Sequence, residues 1–302
     1  MPNFAAQQSL FRAYDVRGSH KLFTPDFIEA LGKAFAHLYT NLTSHAKTSS
    51  EKPIIVIGYD VRCGSDNIAR ILTDILSQHG IQVVQLGLVT TPMMAFWAGQ
   101  YQGHGIVVTA SHSAKDILGI KWLINHKSPN STEIQRLYQQ LTKSKSRKSL
   151  NSHKGNPDPN KTLTSIEASS DYLTDVPSEQ VATTYMTAIT QVFEDIYPSA
   201  RQESEPYLLF SNKLDLKVVI DCMNGATSTI AQRLFERFCR QVIVLNDKPD
   251  GNFPKGTPDP AEPYRLEQLQ EQVLKHNAHI GLAFDGDGDR LMIVDNRGKV
   301  VT

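Results

Sequence analysis

PIIVIGYDVRCGSDNIARILTDILSQHGIQVVQLG, residues 53–87, decides the fold. PIIVIGYD at 53–60 is a short apolar run ending in Gly and Asp, as a strand buried on both faces would be. Ser65 then caps a helix carrying Ile68, Ile71, Leu72, Ile75 and Leu76 at helical spacing, and Gly80 stops it. IQVVQLG follows as a second strand, so the stretch is a βαβ unit.

The pattern extends in both directions. Upstream, Thr24-Pro25 offers an N-cap and a first-turn proline to a helix bearing Phe27, Ile28, Leu31, Phe35 and Leu38, and ending near Leu38. Downstream, Thr91-Pro92 opens another helix, GIVVTAS at 105–111 and GIKWLI at 119–124 read as strands, and 131–142 reads as a helix. From Lys143 to about Asp175 the chain is rich in Ser, Lys, Asn and Thr without apolar periodicity, which predicts a linker or surface insertion. Its basic cluster, Lys143, Lys145, Arg147 and Lys148, reads as a solvated charge run and is assigned no function.

Beyond this stretch, Val181, Tyr185, Ile189, Phe193 and Ile196 mark a helix. LKVVIDCMNGA, the apolar positions Ile230, Leu234, Phe235 and Phe238, and QVIVLN then repeat the order of 54–87 over 217–246. A helix at 263–276 and the strands IGLAF and LMIVD complete this half. The expectation is an α/β protein of two similar α/β domains, each a mixed sheet flanked by helices. The boundaries read as 1–142, a polar linker or insertion over 143–179, and 180–296, with 297–302 beginning a third domain that the chain does not complete.

At 302 residues the length suits two domains, and 40% hydrophobic with 21% charged residues is an ordinary globular composition. Thirty-one basic side chains balance thirty-one acidic ones, which argues against nucleic acid or an anionic membrane as a partner. No apolar run approaches the roughly 18 residues of a membrane span. The opening MPNFAAQQSLFR lacks the basic start and apolar core of a signal peptide, so a cytoplasmic location is expected. Cys63, Cys222 and Cys239 are far apart and lack metal spacing, which fits core packing more readily than a reactive thiol.

Asp285-Gly286-Asp287-Gly288-Asp289-Arg290, between two apolar strands, is the most informative chemical segment. Glycines let the backbone curl so that alternate side chains converge, and converging carboxylates repel one another unless a hard cation sits among them. An EF-hand would need Gly where Arg290 stands and Glu where Asn296 stands, so the pattern favours Mg2+ over that calcium motif. A solvated acidic turn is the competing reading, and the flanking buried strands weigh against it.

GIVVTASHSAKDILGIKW at 105–122 places Ser111 and His112 at a strand end, where α/β proteins bind ligands. No GxSxG elbow is present to support an acyl-transfer hydrolase. Read alone, Ser111 is also consistent with a loop serine bonding its own backbone, and Lys121 with a surface lysine. In FRAYDVRG at 11–18, Arg12 and Arg17 offer forked donors to phosphate, against the alternative of an exposed arm. Asp250-Gly251-Asn252-Phe253-Pro254 and Pro258-Asp259-Pro260 read as rigid structural turns.

Together these segments resemble the α-D-phosphohexomutases, and within them the phosphomannomutase/phosphoglucomutase group. The carriers are FRAYDVRG (11–18), GYDVRCGS (58–65), TTPMM (90–94), VTASHSAKDILGIKW (108–122), DGNFPKGTPDP (250–260) and GLAFDGDGDR (281–290), in the family's order. The resemblance implies a Mg2+-dependent intramolecular phosphotransferase that interconverts hexose 6-phosphate and hexose 1-phosphate, of mannose or glucose, through a phosphoserine. It assigns the phosphoserine to Ser111 and the metal to Asp285, Asp287 and Asp289, with the phosphate on Ser111 as a further ligand. It puts Arg290, Arg17 and Tyr14 around the phosphoserine or substrate, and makes Lys121 and His112 candidates for handling the sugar hydroxyl's proton. Hexose 1,6-bisphosphate is the implied activator and intermediate.

Two departures accompany the resemblance. The family's Asn-Pro after Ser-His is Ser113-Ala114 here, and its Tyr-Asn-Gly is Ile117-Leu118-Gly119, which predicts a less firmly held nucleophile loop. The family has four domains, and its GEMSGH-type sugar loop has no counterpart here, so the chain reads as the N-terminal two domains, C-terminally truncated, with the missing domains required for full activity. The alternatives are an inactive fragment, a phosphosugar- or metal-binding module, and, more weakly, a phosphatase acting through loss of phosphoserine to water.

Overall fold

The structure, a computed structural model, describes residues 4–45, 52–143, 172–196 and 213–301. Its first part runs β1 (Val16–Ser19), α1 (Pro25–His45), β2 (Ile54–Tyr59), α2 (Ser65–Gln78), β3 (Gln82–Leu88), α3 (Thr91–Gly99), β4 (Gly105–Val108), β5 (Ile117–Leu123) and α4 (Ser131–Lys143). After β6 (Leu173–Asp175) and α5 (Ser178–Ile196) come β7 (Leu214–Asp221), α6 (Ala231–Phe235), β8 (Cys239–Leu245), α7 (Glu267–Lys275), β9 (Ile280–Phe284), β10 (Leu291–Asp295) and β11 (Val300–Val301).

Two sheets result, ordered β1-β5-β4-β2-β3-β6 and β11-β10-β9-β7-β8. In the first, β2 lies parallel to both β3 and β4, while β5 is antiparallel to β4. In the second, β7 lies parallel to both β8 and β9, while β10 is antiparallel to β9. Both domains are therefore α/β units on mixed sheets, and the path β5-β4-β2-β3 is retraced by β10-β9-β7-β8. The strand order reverses between β2 and β4, and again between β7 and β9, the places where open α/β sheets present loops to ligands.

The apolar run of β2 is continuous because both of its faces are covered. Ile55 and Ile57 face Phe27, Leu31, Phe35 and Trp122 on one side, while Val56 joins Met93, Met94, Trp97 and Met186 on the other. Cys222 and Cys239 are buried in the second domain, and Cys63 is exposed. Among the described residues no helix is long and apolar enough to cross a membrane.

Several boundaries differ from the sequence reading. The first helix continues past Leu38 to His45. Ser65 is not the cap of α2; Gly64 occupies that position, and the Ser65 hydroxyl donates to Asp60 Oδ1 (2.8 Å) instead. Thr91-Pro92 opens α3 as read, with Thr90 as its cap, accepting from the Met93 amide (3.2 Å), a contact worth about 1 kcal/mol at a helix start. The predicted linker 143–179 ends early, because residues 173–175 pair with β3 as the sixth strand of the first sheet. Lys145, Arg147 and Lys148 of the basic cluster lie outside the described residues, and Lys143 ends α4.

A division at residue 180 also fails on packing. Val181, Ala182 and Met186 of α5 lie in the core of the first domain beside α3, whereas Ile189 and Phe193 pack into the second domain. The helix is a strut shared by both. Residues 297–301 turn back onto the second sheet: Asp295 Oδ1 accepts the Arg297 and Lys299 amides, and Val300 pairs with Val294. FRAYDVRG is no exposed arm either, since β1 pairs with β5 and Phe11 and Val16 are buried.

Candidate functional site

The chain leaves β4 at Val108, and Ser111 follows in the left-handed region at φ 54°, a conformation rare for a residue with a side chain. Local bonds hold it there. The Thr109 hydroxyl accepts the Ser111 amide (2.9 Å), and the Thr109 amide donates to the Gly119 carbonyl on β5 (2.9 Å). The Ser111 hydroxyl is consequently turned inward, toward the second domain.

There it meets the loop between β9 and β10. Ser111 donates to Asp285 Oδ2 (2.6 Å), and Arg290 Nη2 donates to Ser111 Oγ (2.9 Å). Arg290 also contacts His112 Nδ1, which lies 3.4 Å from the same hydroxyl. Ser111 and Asp285 occupy equivalent places, each just beyond the second parallel neighbour of its domain's central strand, β4 and β9. Gly286 permits the approach: a β-carbon there would lie 2.4 Å from the Ser111 carbonyl oxygen.

Asp285 Oδ1 accepts the amides of Asp289 and Arg290 (3.1 Å each), which curls the loop so that its three carboxylates converge. One oxygen from each of Asp285, Asp287 and Asp289 lies within 4.8 Å of the others. Lys121 on β5 donates to Asp287 Oδ2 (2.7 Å) and Asp289 Oδ2 (2.5 Å). Burial pushes the Asp285 carboxyl up to about 8, with the charge of Asp287 adding to the effect. Burial and Asp287 likewise raise Asp289. Burial opposes ionisation of Asp287 too, but Lys121 outweighs it and holds that carboxyl below its usual range. Burial disfavours the Lys121 charge, yet Asp287 and Asp289 prevail and hold the ammonium above its usual range.

Two cations thus face three crowded carboxylates, Lys121 between Asp287 and Asp289 and Arg290 3.2 Å from Asp285 Oδ2, and Asp287 Oδ1 is buried with no hydrogen-bond partner among the described residues. An acceptor orphaned in this way costs about 1–3 kcal/mol unless something meets it. Converging hard oxygen donors and an orphaned buried oxygen fit a divalent cation of the Mg2+ type.

The structure thus brings together Ser111, His112, Lys121, Asp285, Asp287, Asp289 and Arg290. Arg17 reaches the edge of this group, donating from Nη1 to Ser113 Oγ (3.3 Å) while Asp15 holds its Nε (2.9 Å). Tyr14 is 80% exposed and no hydrogen bond joins it to the Ser111 loop. Two contributors carried no role in the sequence reading. Thr91 donates from its hydroxyl to Asp287 Oδ2 (2.5 Å) and from its amide to the Asp287 carbonyl (2.9 Å), pinning the acidic loop to the first domain. Arg62, buried at the end of β2, donates to the Ser111 carbonyl (2.7 Å). Both lie inside quoted motifs.

Comparison with known proteins adds an independent line. Residues 8–148 match phosphoglucomutase/phosphomannomutase alpha/beta/alpha domain I, and residues 195–298 match the corresponding domain II. A phosphomannomutase/phosphoglucomutase of Pseudomonas syringae pv. tomato is 30% identical over 294 residues, covering 97% of this chain and 53% of the relative. A phosphoglucosamine mutase of Methylobacillus flagellatus is also 30% identical, over 295 residues, covering 95% of the chain and 56% of that protein. A phosphoglucomutase/phosphomannomutase family protein from Burkholderia thailandensis superposes with a TM-score of 0.73 at 28% identity, covering 97% of this chain and 56% of its own. The chain spans about half the length of the curated relatives it matches.

Proposed function

The chain belongs to the phosphoglucomutase/phosphomannomutase family, and on that premise we propose that it carries the phosphoryl-transfer machinery of a Mg2+-dependent phosphohexomutase, with Ser111 as the phosphorylated residue. The observation that carries this reading is the bond from Ser111 Oγ to Asp285 Oδ2 (2.6 Å), a hydroxyl of one domain aimed into the carboxylate cluster of the other. The substrate class is a hexose monophosphate, with a hexose 1,6-bisphosphate as the species that charges the serine.

In the proposed reaction the P–O bond to phospho-Ser111 breaks as a P–O bond to a sugar hydroxyl forms, and the proton that hydroxyl gives up is balanced by the one Ser111 Oγ takes as it becomes a free hydroxyl. The bisphosphate then turns over and returns its other phosphoryl group to Ser111 Oγ. Asp285, Asp287 and Asp289 would hold Mg2+, which when bound offsets the negative charge on the transferring group. Arg290, within hydrogen-bond reach of Ser111 Oγ, supplies a forked donor to the phosphoryl oxygens. Lys121, kept cationic by Asp287 and Asp289, suits a stationed charge or proton donor, and His112, 3.4 Å from Ser111 Oγ, is the candidate for accepting a proton. Overall identity to mutases of glucose, mannose and glucosamine phosphates is alike, so the sugar preference lies in contacts outside this comparison.

Two measurements test the reading. Incubation with Mg2+ and glucose 1,6-bisphosphate should add one phosphate to the intact mass, and chelation should prevent it. In calorimetry on phosphorylated protein, Asp287→Asn should weaken Mg2+ binding at least about tenfold, roughly 1.4 kcal/mol. Equal affinities in the variant and the parent would remove the carboxylates from the metal site.

A further inference from the structure

Arg62 has a side chain 0% exposed to solvent. An arginine side chain carries five N–H donors, and here each one is used. Nε donates to Asp60 Oδ2 (3.1 Å), Nη1 to the carbonyls of Ala114 (2.6 Å) and Ile117 (3.1 Å), and Nη2 to those of Ser111 (2.7 Å) and Ser113 (2.6 Å). One guanidinium thus gathers four carbonyls of the loop that carries the nucleophile. Its anchor is firm, because Asp60 also accepts from the Arg62 amide (3.0 Å) and Ser65 (2.8 Å), and its own amide bonds the Val108 carbonyl (2.9 Å).

The other partner of this guanidinium comes from the second domain. Its carbon lies 4.9 Å from the centroid of the Phe253 ring, a cation–π distance. Phe253 is buried at φ 48°, and its amide donates to the Asp250 carbonyl (3.0 Å). Gly251 lets this turn settle onto the first domain, since a β-carbon there would lie 2.3 Å from the Val61 carbonyl oxygen and 2.8 Å from Arg62 Cα. The turn at 250–254 and the Ser111 loop therefore meet through Arg62.

We propose that Arg62 is a positioning residue that locks the Ser111 loop, and that Phe253 completes the lock from the second domain, so that the nucleophile is held firmly only when the domains are docked. This explains how a loop with Ser113-Ala114 in place of Asn-Pro keeps its shape: the hold comes from outside the loop. A lysine at 62 would retain the charge opposite Asp60 but, as a point charge with three donors, cannot span four carbonyls. The consequence for phosphoryl transfer rests on the phosphoserine reading above, whereas the mechanical lock does not.

The test compares the 302-residue chain with Arg62→Lys and Phe253→Leu by amide hydrogen exchange and by phosphate incorporation from glucose 1,6-bisphosphate with Mg2+. Peptides covering 109–118 should exchange at least about tenfold faster in both variants while those covering 54–88 keep the parent rate, the signature of a local opening. The maximal rate of incorporation should fall at least about tenfold, with the half-saturating bisphosphate concentration within about twofold of the parent's, as expected when positioning and not binding is lost. Phe253→Leu keeps an apolar side chain in place and so decides the question should Arg62→Lys not fold. Unchanged exchange at 109–118, or acceleration spread over the whole first domain, overturns the lock. An effect in Arg62→Lys without one in Phe253→Leu overturns its extension across the domains. A loosened loop with undiminished incorporation leaves the lock standing and removes Ser111 as the phosphate acceptor.

Discussion

Ser111→Ala should reduce Mg2+-dependent phosphate incorporation from a hexose 1,6-bisphosphate at least about a thousandfold, roughly 4 kcal/mol of transition-state stabilisation. Ser111 Oγ lies against both Asp285, which accepts from it and orients it, and Arg290, which is placed to neutralise an incoming phosphoryl group. Neighbouring hydroxyls are committed elsewhere. Thr109 holds the Ser111 amide, Thr91 is bonded to Asp287, and Ser113 Oγ accepts from Arg17. Ser113→Ala should accordingly retain incorporation near the parent rate. Peptide mapping that finds the phosphate on Thr91 or Ser113, or incorporation that survives in Ser111→Ala, would falsify the assignment of the nucleophile.

A polypeptide confined to these 302 residues should interconvert hexose phosphates at least about a thousandfold more slowly than the ordinary enzyme rate of ~10 s⁻¹. Fixing a substrate against its reacting group supplies about 7–11 kcal/mol of barrier lowering, and this chain aligns with only 53% of its Pseudomonas relative. The site mouth is correspondingly open, with the Arg290 and Asp289 side chains 45% and 31% exposed. Serine phosphorylation needs only the groups described above, whereas reorienting a bisphosphate needs a second hold on the sugar. Adding the C-terminal half of a related mutase in trans should restore turnover. A coupled assay giving turnover near 10 s⁻¹ from the chain alone would show that two domains suffice.

The strands on either side of the site were readable because parallel strands covered on both faces are continuous apolar runs, as in β2 and β9, while the antiparallel β10 was legible from its apolar run LMIVD; all three fall within a residue of their expected limits. β6 was not, since three residues carry no period and owe their pairing to β3. For α5, periodicity identified Val181 and Phe193 as buried but could not say that they are buried in different domains. The acidic triad and Ser111 were legible because residue type and spacing carry the chemistry. Arg62 was not, because its partners are main-chain carbonyls, which any sequence presents and only the fold brings within reach.

Ser111 and Asp285 share one hydrogen bond yet lie 174 residues apart along the chain. At about 5–20 residues per second of synthesis, the serine leaves the ribosome roughly 9–35 s before its carboxylate partner. A first domain that folds during this interval exposes a hydroxyl with neither the acidic loop nor Arg290 beside it. If Ser111 is the phosphate acceptor proposed above, the nascent protein stays chemically silent toward phosphorylated sugars until the second domain has been translated and has closed onto the first.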